Sequence, residues 1–180
     1  MMPIAPLMIE HRLIERMIRQ IEIHVDRFRT NREADPAFID VAIDFIRTYA
    51  DGCHHGKEED ILFRELKKKS LSEEHARIMK ELMAEHILGR KSTKIVADAK
   101  ERYIGGNAAS LSEIIDALSL LADFYPRHIE KEDHHFFLPV MDYFTKEEQD
   151  AMLTEMREFD RNVVHALYRR VVEKLERPGS

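Results

Sequence analysis

Apolar residues along the chain recur at the three- and four-residue spacing that lines one face of an α-helix. The first run lies between Pro6 and Arg29 and consists of Leu7, Ile14, Ile18, Ile21, Val25 and Phe28. Similar spacing continues through most of the sequence, and the strict alternation of apolar and polar residues typical of β-strands is nowhere sustained. The pattern therefore predicts an all-α protein.

Turn and capping signals divide this pattern into five helices. Residues 30–36 form the first predicted turn, residues 70–74 begin the third helix with serine caps and acids, and residues 105–107 end it. Four long helices joined by short turns favour an up-down-up-down four-helix bundle. We therefore expect one domain over residues 1–180, with the bundle at about 5–140 and an additional C-terminal helix at about 145–176.

Composition narrows the class of protein. The 180 residues are 44% hydrophobic and 34% charged, which suits one water-soluble domain with a buried core. The net charge of −6 and the lack of a basic stripe argue against a nucleic-acid partner. No apolar stretch approaches the ~20 residues that cross a bilayer. The single cysteine, Cys53, excludes an internal disulfide, and the N-terminus does not resemble a signal peptide, so we expect a cytoplasmic protein.

Histidine is unusually frequent for an acidic chain, with ten residues. Two segments share one pattern, His-x-x-x-Glu followed by an acid and then by two apolar residues. These are residues 54–63, with His54 and Glu58, and residues 128–137, with His128 and Glu132. On a helix, positions i and i+4 lie about 40° apart on the same face. An imidazole and a carboxylate at this spacing can therefore reach one metal ion.

Helical phase selects between two overlapping motifs in the second helix. His54 and Glu58 share the face of Ala50 and Ile61, whereas His55 and the neighbouring glutamate lie about 100–140° round, toward a flank. We therefore predict that His54 and Glu58, rather than His55 and Glu59, face the core. The alternative stays open because the nearby glycine, Gly52, can alter the local phase of the helix.

Distance from the turns provides a second test, since residues equally far from a shared turn of antiparallel helices lie at the same depth. His11 and His86 fall within a few residues of the depth of the two motifs. Uncompensated carboxylates and imidazoles in a bundle core would be costly to desolvate, and a metal removes that cost. The predicted metal ligands are His11, His54, Glu58, His86, His128 and Glu132.

These residues resemble the hemerythrin-like, His-His-Glu (HHE) cation-binding superfamily. The resemblance rests on Glu10-His11, CHHGKEEDILF at 53–63, EHILGR at 85–90 and HIEKEDHHFF at 128–137, and it extends over about residues 5–140. It implies a non-haem centre of two Fe ions, oxo- or hydroxo-bridged, with terminal histidines and two bridging carboxylates. Carried onto the matching positions, the implied ligands are His11, His54, Glu58, His86, His128 and Glu132.

The chain departs from the oxygen-carrying hemerythrins in its third helix. Those proteins have a second histidine four residues after the first, where this chain has Arg90, and they use Asp as the bridge where this chain has Glu132. Four histidines and two glutamates are closer to the iron–sulfur-cluster-repair branch. With fewer ligands than a carrier, the centre is expected to bind O2 or a related small oxidant for sensing, scavenging or redox handling.

Two other functions fit the same ligands. One is a di-iron oxidoreductase, peroxidase-like or nitric-oxide-reducing, which requires an electron-donor protein. The other is a non-catalytic iron-binding or iron-storage module. No catalytic residue is assigned, because the sequence contains no hydrolase, nucleotide-binding or zinc-protease motif.

Overall fold

Five helices make up the described part of the chain. The computed structural model describes the backbone of residues 1–175 and the side chains of residues 1–163. Residue 176, the expected end of the fifth helix, and the side chain of His165 lie outside the described parts. Within these residues the protein consists of helices joined by short turns and has no strand. The predicted all-α class is confirmed.

The helices are named here in chain order. Helix α1 is Ile4–Asn31. Helix α2 spans 36–66 and is continuous, with α-helical ends at Pro36–Phe45 and Phe63–Leu66. Helix α3 is Glu73–Ile104, and α4 spans 110–140, beginning as Ser110–Lys131 and ending as Phe137–Val140. A single 3₁₀ turn, Met141–Tyr143, leads into α5, Lys146–Leu175.

Three stretches of these helices are π-helical, with wider turns than an α-helix. Two lie in α2, at Ile46–His55 and Glu58–Leu62, and the third lies in α4 at Glu132–Phe136. All three occur in the segments that contain the His-x-x-x-Glu motifs. A π-helical turn changes the direction in which the following side chains point, so phases calculated for a regular α-helix do not hold here.

The first four helices form a closed bundle in which each contacts the next and α4 returns to α1. The fifth helix packs against the π-helical part of α2. Gly56 makes this contact close, because a Cβ atom there would lie 2.6 Å from the ring of Phe159. The up-down-up-down bundle with an additional C-terminal helix is therefore confirmed.

Local signals in the sequence account for the helix starts. Asp35 accepts hydrogen bonds from the backbone N–H groups of Ala37 and Phe38 at the start of α2. Ser72 accepts one from the backbone of His75 at the start of α3. Both are the N-cap contacts that short polar side chains provide.

The bundle has two apolar clusters along its length, and polar side chains lie between them on every helix. On α1, Leu7 belongs to one cluster and Ile14 to the other. On α3 the flanking members are Leu82 and Val96. His11 and His86 lie between these pairs, so the predicted ligands occupy a layer enclosed by apolar residues on both sides. Within the described residues, no helix combines the length and the apolar composition needed to cross a bilayer.

Candidate metal centre

The structure brings all six predicted ligands together in the middle layer of the bundle. Helix α1 contributes one histidine, α2 a histidine and a glutamate, α3 one histidine, and α4 a histidine and a glutamate. Each side chain is 2% exposed or less, and the set is His11, His54, Glu58, His86, His128 and Glu132. A carboxylate is almost never buried to this extent unless it is compensated.

The two glutamates lie between the imidazoles, and each faces two of the helices. Glu58 Oε1 is 3.2 Å from His54 Nε2, and Glu58 Oε2 is 3.3 Å from His86 Nε2. Glu132 Oε1 is 3.2 Å from His128 Nε2, and Glu132 Oε2 is 3.2 Å from His11 Nε2. Each carboxylate therefore directs its two oxygens toward different histidines.

The expectation that His55 faces a flank is wrong. Its side chain is only 2% exposed, and its ring stacks on that of His86 with centroids 3.9 Å apart. The physical reason is the π-helical stretch Ile46–His55, which ends at this residue and turns adjacent histidines inward together. His54 faces the core as predicted, while Glu59 is partly exposed and accepts a hydrogen bond from His86 Nδ1 at 2.7 Å. His54 and His55 are therefore not alternatives as residues that face the core, because both imidazoles belong to the layer.

The seven side chains form two sets of possible ligands. In one set, His55, His86 and His128 offer nitrogen atoms that all lie within 4.8 Å of one another. In the other set, atoms of His11, His54, Glu58 and Glu132 do the same. Because each glutamate also has an oxygen facing the three-histidine set, the two carboxylates join the sets.

Nine atoms of this layer are buried without a hydrogen-bond partner. They are the five Nε2 atoms and all four carboxylate oxygens of Glu58 and Glu132, and among the described residues no other buried side-chain nitrogen or oxygen atom is in this state. A buried unsatisfied polar atom costs about 1–3 kcal/mol. Two donors about 2.1 Å from one ion at a right angle are about 3 Å apart, close to the spacings of 3.2–3.3 Å seen here. The donor set therefore fits metal ions.

The opposite ring nitrogen of every imidazole in the layer is held by a carboxylate. The five Nδ1 contacts are His11–Asp133 at 2.8 Å, His54–Glu10 at 3.0 Å, His55–Asp51 at 3.4 Å, His86–Glu59 at 2.7 Å and His128–Glu85 at 2.9 Å. A proton on Nδ1 leaves Nε2 with its lone pair directed inward. Metal-ligating histidines are typically oriented in this way.

Four of these contacts run in a ring around the bundle. Glu10, next to His11 on α1, supports His54 of α2. Glu59, next to Glu58 on α2, supports His86 of α3. Glu85, next to His86 on α3, supports the histidine of α4, and Asp133, next to Glu132 on α4, supports the histidine of α1. These acids were not among the predicted site residues. The available signal was their position directly beside a predicted ligand.

The supporting carboxylates are in turn paired with cations. Asp133 pairs with Arg12, Glu10 with Lys57, and Glu85 with Lys131. Arg90 donates to both Asp51 and Glu59, at 2.7 Å in each case. Arg90, which stands where the resemblance implies a further histidine in oxygen carriers, thus anchors the acids behind His55 and His86.

These contacts set the protonation of the metal-free layer. Burial by itself lowers the pKa of His11 and of His86, but neighbouring carboxylates outweigh it and raise these pKa values to about 10 and about 11. Burial and the neighbouring His86 lower the pKa of His55 to about 4. Burial alone would raise the pKa of Glu132, yet the surrounding histidines hold it well below its usual range. In the metal-free layer the glutamates are therefore ionised, and the protonated imidazoles of His11 and His86 balance their negative charge.

Fold and site together define a class of protein, a helical bundle with a buried histidine–carboxylate centre that binds cations. A family model described as the hemerythrin HHE cation-binding domain matches residues 2–137. The chain belongs to this family, which confirms the resemblance in the sequence. No curated protein and no solved structure matches the chain significantly.

Proposed function

We propose that the chain holds two iron ions between Glu58 and Glu132 and uses them to bind O2 or a related small oxidant, for sensing, scavenging or redox handling. The observation that carries the proposal is the set of nine buried, unpartnered donor atoms in two groups joined by both carboxylates. Carboxylates that face two groups of donors suit a pair of ions better than one ion. Helical bundles with inward-facing Glu and His residues are a known scaffold for di-iron centres.

The proposed ligand set is larger by one residue than the set implied by the sequence, because His55 joins it. The expectation of fewer ligands than an oxygen carrier rested on Arg90, and His55 now supplies a fifth imidazole from another helix. One ion would face the nitrogens of His55, His86 and His128, and the other those of His11 and His54. The unequal sets favour the two-histidine side as the place where a small ligand enters.

Iron supplies redox chemistry and open coordination positions for a small ligand when it is bound. The chain's own residues orient the imidazoles, direct the carboxylates inward and exclude water. Phe137 stacks on His11 with centroids 5.6 Å apart, and Phe63 stacks on His86 at 6.0 Å. Both phenylalanines are fully buried. A dry, apolar enclosure of this kind suits a small uncharged oxidant.

We place the protein in the cytoplasm, since the chain has one free thiol and no pair of cysteines to join. Binding the small oxidant needs no electron donor. A di-iron oxidoreductase would need an electron donor, and an iron-storage module would need neither donor nor oxidant.

Anaerobic reconstitution with ferrous iron, followed by O2 addition, tests the proposal. We expect about two irons per chain, and an optical spectrum that changes when O2 is added. Glu132→Ala should lose much of the iron, because a lost ligand is no milder than the 10–100-fold loss of affinity typical of a lost supporting group. Glu130→Ala, which alters an exposed glutamate of the same helix, is the matched control.

The same preparation distinguishes the alternatives. Steady turnover of peroxide or nitric oxide with a reductant would replace the binding role with the oxidoreductase. Iron that is bound without any response to these oxidants would favour storage. If wild type and Glu132→Ala bound the same amount of iron with equal affinity, the proposed centre would be wrong.

A further inference from the structure

One of the cations behind the supporting carboxylates differs from the others in its burial. The side chains of Arg12, Arg90 and Lys131 are 55%, 39% and 26% exposed, so water screens their ion pairs. The side chain of Lys57 is 0% exposed. A buried ammonium group is stable only when it is paired and hydrogen-bonded.

Lys57 obtains this compensation from two helices. Its Nζ contacts Glu10 Oε1 on α1, and it donates to Asp160 Oδ1 on α5 at 2.6 Å. Cys53 Sγ donates to the same Asp160 oxygen at 3.4 Å. Although Glu10, Cys53 and Asp160 have the spacing of a metal site, the ammonium group of Lys57 contacts both carboxylates and supplies the positive charge there.

The connection continues from Lys57 into the metal centre. Glu10 uses one oxygen for Lys57 and the other to accept the hydrogen bond from His54 Nδ1. His54 directs its remaining nitrogen toward Glu58. Asp160, Lys57, Glu10 and His54 therefore form one chain of charged contacts from the fifth helix to the two-histidine side.

Asp160 lies outside the part of the chain that matches the family model, which ends at residue 137. The contact between Phe159 and Gly56 holds α5 against α2 at this point. Among the described residues, the other supporting carboxylates take their cations from the bundle itself, on α1, α3 and α4. Among the side chains that the structure describes, only this support extends to α5.

We propose that Asp160 of the fifth helix, acting through the buried Lys57 and Glu10, is a positioning residue for His54 and thereby sets the metal affinity and redox behaviour of the two-histidine side. This inference rests on the proposed function of the centre. It gives α5 a role in the chemistry: docking of the fifth helix completes the support of one proposed ligand. The side chains of Lys57 and Glu10 are 0% and 13% exposed, so water screens this pair least, whereas Asp160 is 40% exposed and its pair with Lys57 is partly screened.

Three variants test the inference in the full chain. Asp160→Asn removes the charge and keeps the shape, Lys57→Met removes the buried cation, and Asp160→Glu keeps the charge on a longer side chain. We expect about tenfold weaker ferrous iron binding for Lys57→Met and severalfold weaker binding for Asp160→Asn, since supporting groups of ligands typically contribute 10–100-fold. Asp160→Glu should retain most of the wild-type affinity. Glu158→Gln, an exposed acid on the same helix, is the matched control.

A merely structural role would give a different set of results. If Asp160 acts through Lys57, the double variant Asp160→Asn/Lys57→Met should bind iron no more weakly than Lys57→Met alone. The reduction potential of the bound iron should shift in each variant that removes a charge. Reactivity of Cys53 toward a thiol reagent and the Tm of the metal-free protein report separately whether α5 stays docked. Iron affinity and potential equal to those of Glu158→Gln, or strictly additive effects, would overturn the inference.

These results are distinguishable from a failure of the proposed function. If the wild-type protein bound no iron pair, the centre itself would be wrong, whatever the variants did. If wild type bound two irons and the variants only lowered the Tm, the centre would stand and the role of Asp160 would be structural.

Discussion

Each proposed histidine ligand has two distinct nitrogen environments. Nε2 is buried without a partner and faces the glutamates or other imidazoles, while Nδ1 donates to a carboxylate. The carboxylate determines both the tautomer and the orientation of the ring. In the metal-free bundle the inward nitrogen atoms of His11 and His86 have only protons to share with the two glutamates, and burying these charged groups costs free energy. At the residue scale, this asymmetry is the strongest argument that the layer exists to bind metal.

His55 provides the most specific residue-scale prediction. His55→Ala should weaken binding of one iron by at least the 10–100-fold that a lost supporting group costs, because the three-histidine set loses a ligand. Titration of anaerobic protein with ferrous iron measures the loss. His134→Ala, an exposed histidine on α4, is the control. Unchanged binding of both irons in His55→Ala would return the centre to the four histidines predicted from the sequence.

Helices α2 and α4 are π-helical where they carry the motifs, and these stretches also contribute Ile46, Ile61 and Phe136 to the apolar clusters. Each His-x-x-x-Glu motif is followed by a π-helical turn that starts at its glutamate, Glu58–Leu62 in α2 and Glu132–Phe136 in α4. A further π-helical stretch in α2 ends at the paired histidines. At the element scale, these turns allow adjacent residues to face the same centre.

This irregularity explains which parts of the centre could be predicted from sequence. Periodicity and turn signals placed five helices, and distance from the turns placed His11 and His86 in the correct layer, since depth depends only on rise per residue. Helical phase correctly predicted that His54 faces the core, but it wrongly predicted that His55 faces a flank. The cause is the π-helical stretch, for which Gly52 is the one clear signal in the sequence. The ring of supporting acids depends on contacts between helices, which periodicity does not contain.

The N-cap of α2 should affect the stability of the fold without affecting iron binding. Asp35→Ala removes the side chain that accepts from Ala37 and Phe38 and should destabilise the protein by about 1 kcal/mol. Thermal or urea unfolding measures this change. Iron stoichiometry should be unaffected, because the cap is far along α2 from the motif. Asp44→Ala, an exposed acid within the same helix, should change stability far less. A loss of iron in Asp35→Ala would contradict the separation.

At the scale of the whole molecule, the metal centre is a charged layer between two apolar clusters. Without metal the layer holds protons in place of ions, because carboxylates raise the pKa of His11 to about 10 and that of His86 to about 11. The unfolded chain releases these protons near the ordinary histidine pKa of about 6.5. The stabilisation is therefore fully present below about pH 6.5 and is lost as the pH rises through the two folded-state values.

The metal-free protein should accordingly have a lower Tm at pH 9 than at pH 7. His55 acts in the opposite direction, but its pKa of about 4 confines that effect to pH values below about 6.5. His86→Gln should flatten the decline, since it removes one of the histidines whose pKa is raised in the folded protein, a set that also includes His54 and His128. Metal binding should strengthen over the same range, because the ligands must lose their protons to bind. A Tm that stays constant or rises from pH 7 to pH 9 would contradict the charge arrangement.

The central claim is that five histidines and two glutamates hold a pair of irons. A crystal structure of the reconstituted protein, with anomalous diffraction at the iron edge, tests it most directly. We predict two peaks about 3.5–4 Å apart, both in contact with Glu58 and Glu132. One peak should contact His11 and His54, and the other His55, His86 and His128. A single peak, no peak in this layer, or a His55 ring that faces away from the metal would contradict the account.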